Sequence, residues 1–542
     1  MKRWQTKDSL VDLLCSLVEY PSITGSQAEI ALVEYLFHQL SERTYFQQNP
    51  EHIKLHPLDD GRRLLTALVK QGNSSDTVVL LSHFDVVGVD DFGSKKNLAF
   101  HPKALTQDYH RYFDELPDPV QEDIQTGEWL FGRGIMDMKA GLTVHLSMLE
   151  KAMDGEFDGN ILLLTVPDEE VNSLGMLQAL PALTELREAE QLTYRACLNG
   201  EPMFSQYPGD PHNYVYSGSI GKLLPGFFCY GKETHVGEPF AGLNANLMVS
   251  YIAQELELNE SFIETVGNET TPPPVSLMQR DLKEEYSVQT PQAAVAMYNV
   301  LYLKQSTREI NEKLLHAAYR ASKRITGHYK SKADAFHQEK PGLEFPEMDV
   351  NVLMYEELYE EAVSRYGSHE VERIQNLLIS QREKGDREFS TLLVHELAAL
   401  CKDLAPMIVL FYSPPFYPSV SSKQDPYIQN TLAYVKDYTR KHYYLDLEEI
   451  EFFPGLSDLS FIGPSTSQAP IGTMLDNMPL KGKGYDLSES MLQTLQMPIL
   501  NVGPRGKDPH QWTERLELSY SFEYLPDILT NTIHHLLKNP AP

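Results

Sequence analysis

The chain has 542 residues, which is too long for one compact unit, so we expect two or three domains. Hydrophobic residues make up 42% of it, enough for well-packed cores. The formal net charge of −30 argues against nucleic acids and anionic membranes as partners.

The N-terminal segment has its apolar residues at helical spacing and no continuous hydrophobic region. It predicts a docking helix and not a signal peptide. No apolar run elsewhere in the sequence is long enough for a membrane span. Four scattered cysteines fall mostly in apolar segments, namely Cys15, Cys197, Cys229 and Cys401. We expect buried free thiols and a cytoplasmic protein.

Residues 1–214 alternate apolar strand-like runs with helical segments, which predicts an α/β domain with a doubly wound, mostly parallel sheet. The helix in SQAEIALVEYLFHQL begins with Ser26 and Glu29 at the spacing of a capping box. Residues 88–128 form a long segment rich in aromatic and acidic side chains. This segment either covers the mouth of a site or is a solvated insertion.

Residues 215–418 have a different pattern of predicted elements from residues 1–214, because strand-like and helical stretches follow one another in the order βαββαβ. They predict an inserted α+β domain of the ferredoxin-like type. Extra helical material at about 330–405 goes beyond that simple plan. Residues 419–542 then return to the first domain with a helix, a strand and a Gly-Pro turn.

Five potential metal ligands stand in separate local motifs, mostly where apolar runs end. They are His83 in LLSHFDVV, Asp137 in GRGIMDMKAG, Glu170 in VPDEEVNSLG, Glu201 in LNGEP and His510 in GPRGKDPHQW. Two imidazoles and three carboxylates suit a pair of zinc-like ions when one carboxylate bridges them. Glu169, beside a ligand, is left free to act on water, which is the chemistry of a hydrolase.

Each motif alone also has an ordinary structural interpretation. His83 suits a hydrogen-bonded strand end, Asp137 a helix cap, and the acidic run a solvated turn. Because ligands gather at strand ends in open α/β sheets, all five in order favour a metal centre. Asp85, two residues after His83, points the same way along a strand and can accept a hydrogen bond from its imidazole.

In this order the motifs resemble those of the zinc-dependent exopeptidase and aminoacylase superfamily, which includes glutamate carboxypeptidase, acetylornithine deacetylase and succinyl-diaminopimelate desuccinylase. The resemblance covers most of the chain. Its motifs are YPSITGSQAE, HFDVV, GRGIMDMKAG, PDEE, GEP, GKETHVGEPFAGLNA, GLSD and GPRGKDPH. Length and extended spacers are most similar to the bacterial arginine-utilisation protein branch, a group of predicted deacylases.

The resemblance implies two divalent metal ions, zinc first, with manganese or cobalt as substitutes. It assigns the five residues above as ligands, with Asp137 bridging. It makes Asp85 the residue that orients His83 and Glu169 the general base. It also implies a cis bond between Asp137 and Met138, and a lid formed by the inserted domain.

In the lid, His235 of THVGEPFAGLNA corresponds to a histidine that stabilises the oxyanion of the tetrahedral intermediate, often across a dimer interface. A capping or packing histidine is the alternative. Asn244 and Asn246 stand close to the next helix start, where either could cap the helix or contact substrate. We expect one of them to cap it.

The sequence departs from the superfamily at the end of a lid strand. Many relatives have Asp-x-Arg there, whereas this chain has VLYLK, with Tyr302 and Lys304 as candidate substrate contacts. Lysine is a poorer planar match for a carboxylate than arginine. Recognition of a free α-carboxylate at this position is therefore doubtful.

These observations predict a metal-dependent hydrolase of amide bonds in N-acyl amino acids or small peptides, in a context of arginine utilisation. Its partner is a small-molecule substrate, and the resemblance also allows a homodimer. Dipeptidase or carboxypeptidase specificity is one alternative. A non-catalytic binding protein on the same fold is another, although a binder needs no general base.

Overall fold

The computed structural model describes residues 3–382 and 385–538. The chain divides into two compact units. The first unit comprises Met1–Ile220, Val420–Ser465 and Ser490–Pro542, and the second comprises Gly221–Ser419 and Thr466–Glu489.

One boundary differs from the sequence prediction. Residues 466–489 group with the second unit and not with the returning catalytic domain. Asn477 accounts for this, because its side-chain oxygen accepts a hydrogen bond from Glu356 N at 2.9 Å and its carbonyl accepts one from Tyr412 N at 2.8 Å.

The first unit begins with alternating helices and strands. Its helices here are α1 (Lys7–Val18), α2 (Gln27–Ser41), α3 (Thr44–Gln48), α4 (Pro102–Arg111), α5 (Asp118–Thr126), α6 (Ala140–Met153) and α7 (Leu174–Ala189). Its strands here are β1 (Ile53–Pro57), β2 (Arg63–Val69), β3 (Asp76–His83), β4 (Trp129–Phe131), β5 (Asn160–Val166), β6 (Thr193–Asn199), β7 (Asn213–Tyr216) and β8 (Gly218–Ser219).

The second unit follows. Its strands are β9 (Gly221–Leu223), β10 (Pro225–Tyr230), β11 (Thr265–Val266), β12 (Glu269–Thr270), β13 (Val275–Asp281), β14 (Ala293–Tyr302), β15 (Asn351–Met354) and β16 (Met407–Tyr412). Its helices are α8 (Ala245–Leu256), α9 (Thr307–Glu339), α10 (Tyr355–Tyr366), α11 (Ser368–Ser380) and α12 (Asp386–Leu400).

The rest of the chain returns to the first unit, except for a short excursion that contains α14. Its elements are β17 (Val420–Ser421), α13 (Pro426–Tyr443), β18 (Leu447–Ile450), α14 (Gly472–Asp476), α15 (Glu489–Thr494), β19 (Ile499–Asn501), β20 (Gly506–Lys507), β21 (Arg515–Glu517) and α16 (Leu525–Lys538).

The sheet that positions the site belongs to the first unit and has the strand order β1-β2-β5-β3-β6-β19-β7-β18. Its central strands β5, β3, β6 and β19 are parallel neighbours. All residues of β5 are buried, as expected for a central strand covered by helices. The predicted doubly wound, mostly parallel sheet is confirmed. Because the central strands are parallel, their carboxyl ends meet at one edge.

The second unit contains a sheet of order β13-β14-β10-β16-β15, to which β9 adds by pairing with β14. The sequence β10-α8-β13-β14-α9-β16 has the predicted ferredoxin-like βαββαβ plan. Between α9 and β16 the chain inserts α10, α11 and α12, as the sequence indicated. It also inserts β15, which pairs parallel to β16 and was not predicted.

Apolar side chains of residues 88–128, among them Tyr109, form a small hydrophobic cluster with Phe131 of β4. The cluster extends to Trp512, whose carbonyl oxygen accepts a hydrogen bond from the Tyr109 hydroxyl at 2.6 Å. Trp512 lies two residues after His510. This segment therefore supports the loop that carries His510 and is not merely solvated.

Among the described residues, no helix combines the length and apolar character needed to span a membrane. All four cysteines are buried and free.

Candidate metal centre

The sheet edge brings the five predicted ligands together, although they are widely separated in sequence. His83 is the last residue of β3, Glu170 follows β5, and Glu201 follows β6. His510 lies in the loop between β20 and β21. Potential ligand atoms of His83, Asp137 and Glu170 all lie within 4.8 Å of one another.

One half of the centre forms around His83. Its Nε2 atom lies 3.4 Å from Oδ1 of Asp137 and 3.5 Å from Oε1 of Glu201. The three side chains are buried, with 8% or less of each residue exposed. This half offers one imidazole nitrogen and two carboxylate oxygens to a cation.

The other half forms around His510. Its Nε2 atom lies 3.2 Å from Oδ2 of Asp137 and 3.1 Å from Oε1 of Glu170. His510 has a positive φ of 61°, an uncommon conformation for a residue other than glycine. The two oxygens of Asp137 thus face two different imidazoles, which is the arrangement of a bridging carboxylate.

The donor set fits divalent transition metal ions, since imidazole and carboxylate ligands suit zinc, manganese and cobalt. Nε2 of His83 is buried and has no hydrogen-bond partner among the described residues. A buried nitrogen without a partner is costly unless something binds it. A cation held by His83, Asp137 and Glu201 would satisfy it and relieve repulsion among the carboxylates.

The closeness of the imidazoles to buried carboxylates shifts the pKa values of the groups at the centre. Burial, and then the charge of Asp137, raise the pKa of Glu201 well above its usual value. Burial opposes the charged form of His510, yet Asp137 and Glu170 raise its pKa to about 11. The imidazoles and the carboxylates of the centre therefore attract one another, while the carboxylates repel each other.

Glu169 lies beside the half of the centre that forms around His83. Its Oε2 atom is 3.9 Å from Nε2 of His83. Burial raises the pKa of Glu169 well above its usual value, and the neighbouring Glu201 and Asp458 carboxylates add to the effect. A carboxylate with a raised pKa is a stronger proton acceptor than an ordinary one, which suits it to acid–base chemistry.

Asp85 is placed differently from the sequence expectation. Nδ1 of His83 lies 3.1 Å from the carbonyl oxygen of Asp85 and 3.5 Å from its carboxylate. The carboxylate instead accepts hydrogen bonds from the main-chain N–H groups of Glu169 at 3.1 Å and Glu170 at 3.3 Å. Asp85 thus holds both the imidazole and the acidic pair.

The loop that carries Asp137 is held by an ion pair. Oε1 of Glu514 accepts a hydrogen bond from Met136 N at 3.2 Å, and Oε2 of Glu514 lies 2.8 Å from Nη1 of Arg133. The bond between Asp137 and Met138 is cis, as the resemblance implied.

Asp458, in the GLSD motif, is a residue to which the sequence analysis gave no role. It is 3% exposed, and burial raises its pKa to about 7. Its charge also acts on Glu169 and Glu201. The motif itself was the signal that could have drawn attention to this carboxylate.

The second unit contains the remaining candidates. His235 is exposed, and its Nδ1 accepts a hydrogen bond from Gly237 N at 3.1 Å. That contact leaves Nε2 to carry the proton of the neutral ring. Asn244 caps α8 by accepting from Asn246 N at 2.9 Å, while the Asn246 side chain donates to Asp281 at 2.8 Å. Asn244 is therefore the helix cap.

Tyr302 does not present its hydroxyl to a ligand in this structure. The residue is 4% exposed, its hydroxyl donates to the carbonyl of Tyr417 at 3.2 Å, and it accepts from Ser419 N at 3.3 Å. This placement is that of a packing residue and corrects the proposed substrate contact. Lys304 is exposed, and its main-chain N–H donates to Glu264 at 2.7 Å.

Comparison with known proteins agrees with this geometry. Residues 80–332 match peptidase family M20/M25/M40. The uncharacterized protein YqjN of Bacillus subtilis is 54% identical over 536 residues, which are 99% of this chain and 97% of YqjN. Protein RocB of Bacillus subtilis is 31% identical over 545 residues, covering 97% of this chain and 94% of RocB. The chain belongs to peptidase family M20/M25/M40.

Within the M20 family, the likeness to RocB places the chain in the RocB-like branch. A crystal structure of a tripeptidase from Staphylococcus aureus has the same fold, with a TM-score of 0.54 and 12% identity over 99% of this chain and 100% of the tripeptidase. As an M20 protein with this set of side chains, the chain is a metal-dependent peptidase or amidohydrolase.

Proposed function

We propose that the protein hydrolyses amide bonds of N-acyl amino acids or small peptides with two divalent ions, zinc first and manganese or cobalt as substitutes. The position of Asp137 carries this proposal. Its two oxygens lie 3.4 and 3.2 Å from the imidazoles of His83 and His510. This arrangement supports two ion sites that share one carboxylate.

Each ion has its own set of ligands in this proposal. His83, Asp137 and Glu201 would hold one, and His510, Asp137 and Glu170 would hold the other. Ions bound there would supply Lewis acidity, polarising the substrate carbonyl and lowering the pKa of a water molecule towards about 7. Asp85 fixes the ring of His83 and the main chain of the acidic pair.

Glu169 is the general base and then the general acid. It accepts a proton from the attacking water and donates that proton to the departing amine nitrogen, so that one group serves both steps. Its burial and raised pKa support this role, because burial makes the carboxylate a stronger proton acceptor.

His235 stabilises the developing oxyanion by donating from Nε2. The resemblance to the superfamily is the source of this role. The hydrogen bond from Gly237 N to Nδ1 supports it, because it selects the ring form with the proton on Nε2.

Deacylase activity is favoured over carboxypeptidase activity because the lid strand lacks the expected arginine and Tyr302 is buried. Arginine utilisation is the proposed metabolic context, through the likeness to the RocB-like branch. We propose a cytoplasmic location, consistent with four buried free thiols, and a homodimer as the form in which lid residues act.

Metal analysis combined with a substrate panel tests this proposal. The purified protein is analysed for metal by mass spectrometry and incubated with matched N-acyl amino acids and dipeptides. Turnover of N-acyl amino acids supports a deacylase, and turnover of dipeptides alone indicates a dipeptidase. Metal binding with no turnover of either class would favour a non-catalytic binding protein.

A further inference from the structure

The turn that carries Glu169 and Glu170 has an unusual main-chain conformation. We define the acidic turn as residues 167–173, which connect β5 to α7. Asp168 has φ = 72° and Ser173 has φ = 53°, both in the left-handed region that non-glycine residues rarely adopt. Such a turn persists only where the surrounding structure holds it.

Three successive N–H groups of the acidic turn are bound by buried carboxylates. Asp168 N donates to Oε1 of Glu29 at 3.1 Å. The next two N–H groups, of Glu169 and Glu170, donate to the two oxygens of Asp85. Asp85 also accepts a hydrogen bond from Thr24 at 2.8 Å. The direction of the acidic pair is therefore set from beneath by carboxylates that belong to other elements.

Arg62 connects and neutralises the carboxylates behind the turn. Its Nη1 atom lies 2.6 Å from Oδ1 of Asp168 and 3.4 Å from each carboxylate oxygen of Glu29. The other oxygen of Asp168 accepts from Leu174 N at 3.0 Å, where α7 begins. Asp168 is thus held at its N–H group and at both side-chain oxygens.

The pairing of Arg62 with Glu29 and Asp168 is buried, so these groups have little access to water. Glu29 is fully buried and Arg62 is 7% exposed. Arg62 also pairs with the more exposed Asp60 at 2.7 Å. Among the described residues, the two buried carboxylates have no other guanidinium beside them, and an uncompensated buried charge is costly. Arg62 immediately precedes β2, which pairs with β5, so the support is anchored in the same sheet as the turn.

We propose that Arg62 and Glu29 are positioning residues that keep Glu170 turned towards the metal and Glu169 turned towards the reacting water. The proposal rests on the roles given above to Glu169 and Glu170. Neither Arg62 nor Glu29 touches substrate or metal in this proposal. They act through Asp168, Glu29 by accepting from its N–H group and Arg62 by pairing with its carboxylate.

The decisive comparison is between neighbouring arginines. Arg62→Met removes the guanidinium behind the turn. Arg63→Met is the matched control, because Arg63 is 41% exposed at its side chain and pairs at 3.1 Å with Glu34, which is also exposed. Metal-free protein is titrated with Co²⁺ and followed by its visible absorption, and with Zn²⁺ in competition with a chelator.

We expect Arg62→Met to weaken metal binding on the order of 10–100-fold and to change the Co²⁺ spectrum, since outer residues that orient metal ligands have effects of this size. Arg63→Met should match the parent. With a substrate from the panel, kcat should fall for Arg62→Met while KM changes little. Arg62→Lys should recover part of both losses, because one cation remains beside Asp168 but the planar fork is gone.

The double variant Arg62→Met/Glu29→Gln should recover part of the metal affinity, because it removes one uncompensated carboxylate together with its cation. If Arg62→Met does not fold, Arg62→Lys and Glu29→Gln carry the test. Arg62 and Glu29 variants with parental Co²⁺ spectra, metal affinity and kcat would overturn the proposal, even if their thermal midpoints were lower.

The metal titration needs no substrate, so the two proposals fail separately. If the parent hydrolyses nothing in the panel while Arg62→Met still weakens metal binding, positioning of Glu170 stands and the assignment of Glu169 as base is lost.

Discussion

Oδ2 of Asp137 lies 3.2 Å from Nε2 of His510. The first unit consists of three chain segments, and this contact joins the first of them to the last. The other oxygen of Asp137 faces His83. Asp137 is therefore the only one of the five proposed ligands assigned to both ions, and its removal should affect the centre differently from the removal of any other.

Asp137→Ala should lose both ions, whereas Glu201→Ala should retain the half formed with His510. Metal per chain, measured by mass spectrometry after dialysis, distinguishes the two. Asp90→Ala is the control, because Asp90 is a fully exposed aspartate that pairs only with Lys96 among the described residues. Parental metal content in Asp137→Ala would mean that the proposed ligand set is wrong.

Glu169→Ala and Glu170→Ala should have different phenotypes although the residues are adjacent. Glu169→Ala should keep its metal and fold but lose turnover by about 10²–10⁴-fold, since a general base is removed. Glu170→Ala should lose metal from the His510 half first. The measurements are metal content and kcat on the same preparations. If the phenotypes were exchanged, the assignment of the acidic pair would be off by one residue.

His235→Ala should lower kcat without changing metal content, because His235 is proposed to stabilise the oxyanion. If it acts across a homodimer, inactive His235→Ala and Glu169→Ala proteins should regain part of their activity after subunit exchange, since one hybrid site then contains both intact residues. Activity is measured after mixing under conditions that allow exchange. A fully active monomer, or His235→Ala at parental turnover, would contradict the role across subunits.

His145 on α6 should make the protein sensitive to acid. The residue is fully buried, burial lowers its pKa to about 3, and neither ring nitrogen has a hydrogen-bond partner among the described residues. The unfolded chain, with a pKa near 6.5, binds the proton more readily, so stability falls as the pH drops below about 6.5. By pH 5 this one group lowers the free energy of unfolding by about 2 kcal/mol relative to neutral pH.

The substitution His145→Met removes the titrating ring and fills its space with a flexible apolar side chain. The variant should lose less stability than the parent as the pH falls. We expect the difference in thermal midpoint between the variant and the parent to grow by a few degrees in the variant's favour between pH 7 and pH 5. Scanning calorimetry on metal-free protein checks this. If the difference in thermal midpoint stayed constant from pH 7 to pH 5, His145 would have to bind its proton as readily in the folded protein as in the unfolded chain.

The sequence was sufficient to predict that the five proposed ligands come together, because each one lies in a local signal. His83, Glu170 and Glu201 follow apolar runs, and parallel pairing of those runs brings their ends to one edge. Local patterns carry this information, since a buried parallel strand is an uninterrupted apolar stretch. The ferredoxin-like plan of the second unit was predictable for the same reason, from element order alone.

Contacts between distant segments were not predictable. The capping box expected at Ser26 and Glu29 is only half present: Glu29 N approaches Ser26 Oγ at 3.4 Å, but the Glu29 carboxylate binds Gly25 N and Asp168 N instead. Tyr302 is a similar case, because its hydroxyl binds main chain far along the sequence. Burial of these side chains decides their partners, and burial depends on the assembled fold.

The position of β19 has a consequence for synthesis of the protein. In the sheet it lies between β6 and β7, which precede it by hundreds of residues in the chain. On the ribosome, β6 and β7 must therefore leave a gap until the C-terminal stretch emerges, and His510 arrives only with that stretch. A nascent chain consequently lacks one of the five proposed metal ligands until the residues that follow β19 have been synthesised.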